Sequence, residues 1–323
     1  MKGSWKKALM GGLWLGLCLP FLAACSHDEG PGAVPAREQD CEVTMSVRIE
    51  ASSLRGMGDP GSDAAEGAGW TKIDVFLVYN WGQVLQYTIN GPSTKEKFMA
   101  YAGQLKGVYA VAYKEVAGHV VAASDEQAIL DLQTASLNDM NDNNVKREYL
   151  LSLFSGKNLE TVNIVKDGHN EIKVTLRRAI AKVDVQWDVQ DAYDPEGGNY
   201  VEAKMGSITL SGMDKGYFFN ESRGAVEQLT FESTYTANAP VSERNGRTYF
   251  YTFAGAKNSF AFKIKHRKGS EGDITTSYTA TFDNALPASS WHKVNLTVSG
   301  KTFKTEATGG EVNLILTPAT QNN

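Results

Sequence analysis

Residues 41–51 alternate with a period of two. Val43, Met45, Val47 and Ile49 fall on one side of an extended chain, with Glu42, Thr44, Ser46, Arg48 and Glu50 on the other. Successive side chains of a strand point to opposite faces, whereas a helix repeats every 3.6 residues, so this pattern buries an apolar face only as a strand. The pattern recurs along the chain. Ile73 to Tyr79 is almost wholly apolar and predicts a buried strand, Asn80-Trp81-Gly82 a turn, and Val84 to Ile89 the returning strand of a hairpin. Val108 to Tyr113, the alternating sets Ile172/Val174/Leu176 and Val183/Val185/Trp187/Val189, Ile208–Leu210, Tyr249–Phe253, Phe260–Ile264, Tyr278–Phe282, Val294–Val298 and Val312–Leu316 are further strands. Ser124 and Gln127, with capping-box spacing before Ile129, Leu130 and Leu132, predict a short helix between Ser124 and Leu137. Asn138 to Asn144 reads as a polar loop. Many short strands with sparse helix give an all-β fold of antiparallel sandwiches. The run from Ile172 to Val189 is too long for one ordinary strand. A domain boundary is expected there, near Arg178, giving sandwiches over 41–178 and 179–323.

The N-terminus carries an address rather than fold. Lys2, Lys6 and Lys7 precede an uncharged run, Ala8 to Leu22, which ends in Leu22-Ala23-Ala24-Cys25. That run is shorter than the ~20 residues a spanning helix needs. It predicts a signal peptide over 1–24, cut between Ala24 and Cys25, with N-acyl and S-diacylglycerol groups on Cys25. Several acyl chains make a durable anchor where one makes a marginal one. Residues 25–40, charged and containing Gly30, Pro31, Gly32 and Pro35, are a flexible tether.

Removal of 24 residues from the 323 leaves 299, and three lysines go with no acid, so the formal charge moves from −5 to −8. That opposes nonspecific nucleic-acid binding. Of three cysteines, Cys18 leaves with the signal and Cys25 is lipidated, so Cys41 has no disulfide partner and reads as a small apolar contact.

Residues that could carry chemistry form no site. There is no GxSxG elbow and no HExxH, and His27, His119, His169, His266 and His292 are scattered. Gly300-Lys301-Thr302 resembles the end of a phosphate loop, but Asn295 stands where its first glycine belongs. Asp139 to Asn144 is rich in oxygen ligands, yet an EF-hand needs glycine and glutamate where Asn144 and Leu150 stand. Asp191, Asp194 and Glu196 are ordinary surface acids. No enzyme, metal, cofactor or small-molecule substrate is expected. Trp81 and Trp291 are the residues an exposed carbohydrate-binding face would use, although aromatics of this density pack sandwich cores.

Taken in order, these pieces resemble the fimbrillin superfamily of type V pili, and most of all its fimbrium-anchoring subunits. The lipobox at Cys25, the alternating strand Cys41 to Ala51, the loop opening Ser52-Ser53-Leu54-Arg55-Gly56, and the hairpin of Trp70 to Tyr79 with Asn80-Trp81-Gly82 carry the first half. Leu176-Arg-Arg-Ala-Ile-Ala-Lys-Val-Asp-Val185 is similar to the arginine-then-strand segment that opens the family's second domain. Trp291 to Gly300 and a final strand, Glu311 to Thr317, resemble its end. The resemblance implies two transthyretin-like sandwiches and an outer-membrane lipoprotein exposed at the cell surface. Its partners would be shaft subunits joined by β-strand addition, with the membrane held through the lipid. Its role would be to hold the shaft and help control fibre assembly and length. Shaft subunits of the family are cut by an arginine-specific protease after the first strand, and Arg55 lies at that place. The alternatives are a shaft or tip pilin processed at Arg55, or a glycan-binding surface lipoprotein. The strand after Gly300 would be either a donor or part of the protein's own sheet.

Overall fold

A computed structural model describes residues 37–50, 69–190, 192–194, 199–211, 215–219, 230–231, 245–255, 259–268, 274–282, 286–299, 302–308 and 314–318. The first eight strands are β1 (Cys41–Ile49), β2 (Lys72–Tyr79), β3 (Val84–Asn90), β4 (Lys95–Ala100), β5 (Gly103–Tyr113), β6 (Phe154–Asn158), β7 (Val162–Ile164) and β8 (Asn170–Arg178). They form one sheet in the order β3-β2-β5-β6-β8-β1-β4, with β7 also pairing β5. Only two rungs, Phe154 with Arg178 and Ser155 with Arg177, join β6 to β8. The sheet doubles over at that narrow join. Residues of β1, β4 and β8 therefore share a core with residues of β2, β3 and β5, and the two end strands meet through Tyr87 and Phe98, stacked at 4.4 Å.

The later strands are β9 (Ile180–Gln190), β10 (Ala192–Asp194), β11 (Asn199–Ser211), β12 (Thr230–Phe231), β13 (Asn245–Phe253), β14 (Ser259–Lys268), β15 (Ile274–Phe282), β16 (Trp291–Ser299), β17 (Thr302–Thr308) and β18 (Leu314–Pro318). They make a sheet β10-β11-β14-β15-β18, with β12 beside β11, and a second sheet β13-β9-β16-β17. The fold is all-β. Among the described residues helix is confined to α1 (Glu126–Leu130), α2 (Asn143–Leu151) and one 3-10 turn, Leu137–Asp139. No described helix is long and apolar enough to cross a membrane.

Only Ala179 separates β8 from β9, and strand partners change there. The apolar core nevertheless crosses the change. β2 is buried along nearly its whole length because both of its faces are covered. Ile73, Val75, Leu77 and Tyr79 face the first sandwich, while Phe76 and Val78 join a cluster that continues through Ile180, Val183, Trp187, Tyr249 and Leu296. A strand covered on both sides reads as a continuous apolar run, which is what its sequence shows. The described residues from Glu38 onward pack as one compact unit.

Several expectations need correction. Two pairings are parallel, β1 with β8 and β9 with β16. Alternation fixes which face a side chain takes but carries no information on strand direction, and parallel neighbours need only a long crossover. Helix α1 is capped by Asp125, not Ser124, its side chain accepting from the Ala128 amide. The supposed loop 138–144 ends in the cap of α2, whose exposed face hides a short buried edge, Tyr149 and Leu150. Strand β4, with Lys95, Glu96 and Lys97, conceals its inward Phe98 and Ala100 among charges. Among the described residues after Gly300 there are two strands, not one: β17 extends one sheet beside β16 and β18 extends the other beside β15.

Candidate functional site

Cys25 and Ala24, expected at the lipidation and cleavage point, and Arg55, expected at a processing point, lie outside the described residues. What the structure shows is the strand between them. β1 is bonded on both sides, antiparallel to β4 over 41–46 and parallel to β8 over 43–49. Cys41, Val43, Met45 and Val47 are buried in the first core. Each such side chain contributes about 1.5–3 kcal/mol by leaving water. The Cys41 thiol is pushed up from its ordinary pKa by burial first and by the neighbouring Asp40 carboxylate second. It is therefore a protonated core contact.

Polar contacts fix the register of β1. Asn170 donates to the Glu42 carbonyl at 3.0 Å and to that of Val165 at 3.0 Å, while its carbonyl oxygen accepts from the Val165 amide. Lys166 pairs with Asp40, Lys97 with Glu42, and Arg177 with Glu50. These pairs are exposed and worth little individually. Withdrawing β1 would leave β4 and β8 two strand spacings apart, about 9–10 Å, with both facing ladders unpaired. Only another extended chain satisfies such a slot.

The arginine-then-strand segment is structural. Arg177 is exposed, but Arg178 is fully buried. Its Nη1 donates to the Leu151 carbonyl at 2.5 Å, and its guanidinium lies 4.9 Å from the Phe154 ring centroid. Lys182 is equally buried, with Nζ 4.4 Å from the Tyr249 ring, 5.4 Å from Trp291 and 5.9 Å from Tyr251. The aromatic faces supply the negative potential that a buried cation needs. Asp184 is held by Arg247 through two bonds, Nε to Oδ1 at 2.7 Å and Nη2 to Oδ2. Trp291, a candidate for a glycan platform, is partly buried, with Lys182 Nζ 5.4 Å and Lys293 Nζ 4.6 Å from its ring. Trp81 is exposed and stacks on Tyr79 at 4.3 Å.

One serine–histidine contact invites a catalytic reading. Ser290 Oγ lies 2.7 Å from His292 Nε2 and 2.5 Å from the Pro287 carbonyl. A carbonyl only accepts, so the hydroxyl donates to Pro287 and the imidazole N–H donates to the hydroxyl. The serine proton therefore points away from the base, and burial keeps the His292 ring neutral by lowering its pKa. In the Asp139–Asn144 stretch, Asp142 spends its carboxylate on the amides of Asn144 and Val145 at the start of α2. Among the described residues no three His, Cys, Asp or Glu side chains gather as metal ligands. Sequence reasoning missed a cleft of about 730 Å³ between the 117–139 segment and Lys215, lined by His119, Asp131, Gln133 and Thr134 among others. Its lining comes from one segment folded back on itself, with Lys215 brought in from the second half, and no periodicity in the sequence marks that fold.

The fold recurs in solved structures. A candidate cell adhesion protein from Bacteroides eggerthii aligns over 88% of this chain and 97% of its own, with TM-score 0.55 and 16% identity. Another from Parabacteroides distasonis aligns over 86% and 96%, with TM-score 0.53 and 12% identity. The fimbrial anchor protein Mfa2 from Porphyromonas gingivalis is more distant, with TM-score 0.42 and 12% identity over 84% and 98%. No curated protein matches the sequence. At such identities the first two structures establish the class by fold alone: an all-β chain of packed sandwiches. The family follows from the sequence itself. Residues 86–315 match the fimbrillin-A associated anchor proteins Mfa1 and Mfa2, and the chain belongs to that family of fimbrial components.

Proposed function

We propose that this protein is the foot of a fimbrium: a lipoprotein, held in the outer membrane through Cys25, that retains the fimbrial shaft at the cell surface and helps set its assembly and length. The observation that carries this reading, beyond family membership, is the position of β1. It lies between two hydrogen-bonded neighbours with its apolar face in the core. Cys25 precedes Cys41 by 16 residues (41 − 25). A flexible chain of that length reaches about 20 Å on average. A lipid on Cys25 would thus pull directly on a strand built into the sandwich, and the load would pass into two ladders rather than into a loose tail. Shaft subunits would join by strand addition, in which main-chain bonds give affinity and alternate side chains give specificity.

The same position makes Arg55 decisive. A cut there would leave β1 and the lipid joined to the rest only by noncovalent contacts, as expected of a shaft or tip subunit. Mass spectrometry of the N-terminus of the surface-exposed protein tests the proposal. An acylated Cys25 start on the intact chain supports it, and a chain starting at Gly56 refutes it. Deleting the gene should release fibres from cells or change their length.

A further inference from the structure

Every sheet has edges, and folded proteins protect them with charge, proline or brevity because free main-chain groups recruit other strands. Most described edges of this protein are protected in that way. β4 carries Lys95, Glu96 and Lys97, β17 carries Lys304 and Glu306, and β13, whose Arg247 is spent on Asp184, is buried over 249–253 and packs against α2. β18 has five residues and ends in Pro318, while β7, β10 and β12 have three, three and two. β3 differs. It has seven residues, Val-Leu-Gln-Tyr-Thr-Ile-Asn, with neither charge nor proline, and ends the first sheet with β2 as its one strand neighbour. Among the described residues no main-chain hydrogen bond reaches its free side. Its side chains are mostly half-buried. Leu85, Tyr87 and Ile89 continue the core row, Tyr87 closing the sandwich mouth against Phe98, while Gln86 and Thr88 lie on the other face.

We propose that β3 is the acceptor edge for the shaft: an extended strand of the first shaft subunit pairs along Val84–Asn90. The occupant's chemistry follows from the edge. Side chains next to Leu85, Tyr87 and Ile89 must be apolar, and those next to Gln86 and Thr88 must be uncharged, because a charge there gains no partner on β3. A second copy of this chain would also meet that pattern, but pairing of β3 with β3 is two-fold and closes on itself. A fibre needs a heterologous contact that leaves its far end open. The proposal rests on the anchoring role above and names the strand that performs it.

The test uses the full chain in cells that assemble fibres. A photo-crosslinking aromatic residue replaces Tyr87, and a control carries the same group at Lys157, exposed on β6 three places along the sheet from β3. The expected result is an adduct with the shaft subunit, identified by mass spectrometry, from position 87 and not from 157. In parallel, Gln86→Lys keeps a donor for the Val121 carbonyl, 2.8 Å from the Gln86 amide nitrogen, while placing a cation on the edge. It should lower cell-attached fibre about tenfold, the equivalent of ~1.4 kcal/mol in affinity, with an unchanged unfolding midpoint. Adducts only between copies of this chain, or no adduct from position 87 in cells whose fibres are lost when the gene is deleted, overturn the β3 assignment and leave the anchoring role standing. Fibres equally retained without the gene overturn the anchoring role, and this assignment with it.

Discussion

Gly246 offers the sharpest check on the packing of the second half, because sequence and structure predict opposite signs for one substitution. Glycine within a strand is normally a weakness, and alanine there stabilises by about 0.5–1 kcal/mol through backbone entropy. Here Gly246 in β13 stands opposite Trp187 in β9. A Cβ added to it would lie 2.4 Å from Trp187 Cζ2, 2.8 Å from Cε2 and 3.0 Å from Cη2. Carbon atoms are comfortable at about 3.5–4.0 Å, so the nearest pair overlaps by roughly 1 Å. Trp187 cannot retreat, since it is 2% exposed and packed in the larger core. Overpacking of this kind costs about 1–3 kcal/mol, which exceeds the entropic gain. Gly246→Ala should therefore lower the urea midpoint of the full chain without changing the slope. The three clashing atoms belong to the fused ring that phenylalanine lacks. In a Trp187→Phe background the alanine should cost little, giving a coupling of about 1–3 kcal/mol in the double-mutant cycle. An alanine variant as stable as the parent, or an equal cost in both backgrounds, would falsify this packing argument.

Three other perturbations probe different parts. Met45→Ala removes a fully buried side chain from the centre of β1 and should cost about 2–5 kcal/mol in denaturant unfolding; a cost below about 1 kcal/mol would mean that β1 is not built into the core. Arg178→Ala strips the donor from the Leu151 carbonyl and the cation from Phe154, and should cost more than about 2 kcal/mol, whereas Arg177→Ala on the exposed neighbour should fall within ~0.5 kcal/mol; equal effects would contradict the assignment of Arg178 as the buried member. His292 has a folded pKa below its ordinary 6.5 because burial disfavours the charged ring, and His119 is lowered by burial and then by Lys215. Their contribution is complete above about pH 6.5 and fades as pH falls below it, before carboxylates begin to titrate near 4.5. Melting should therefore weaken between about pH 6.5 and 5, and His292→Asn should flatten that slope; an unchanged slope would show the ring already charged in the fold.

The sequence legibly carried whatever depends on nearest neighbours along the chain. Period-two alternation located β1, β8 and β9, the run at 73–79 announced a strand covered on both faces, and Asn80-Trp81-Gly82 marked its turn, where Gly82 takes a φ of 91°. Leu22-Ala23-Ala24-Cys25 suggested an address rather than a fold, and it lies outside the described residues. Strands in which charges break the alternation escaped, β4 above all, because its two inward residues matter only once a core exists to receive them.

The tertiary structure alone decided strand direction, partners and the fate of the polar residues. Alternation cannot say that β1 runs parallel to β8, a neighbour more than a hundred residues away in sequence. It cannot say that, among the described residues, two strands rather than one follow Gly300 and divide between two sheets. Nor can it say that Arg178 and Lys182, written in the same polar letters as Arg177, lie against aromatic rings with no solvent contact. Burial, pairing and charge compensation are sums over contacts between distant segments. A linear pattern fixes which side of a strand a residue occupies, and only the packed chain fixes what it meets there.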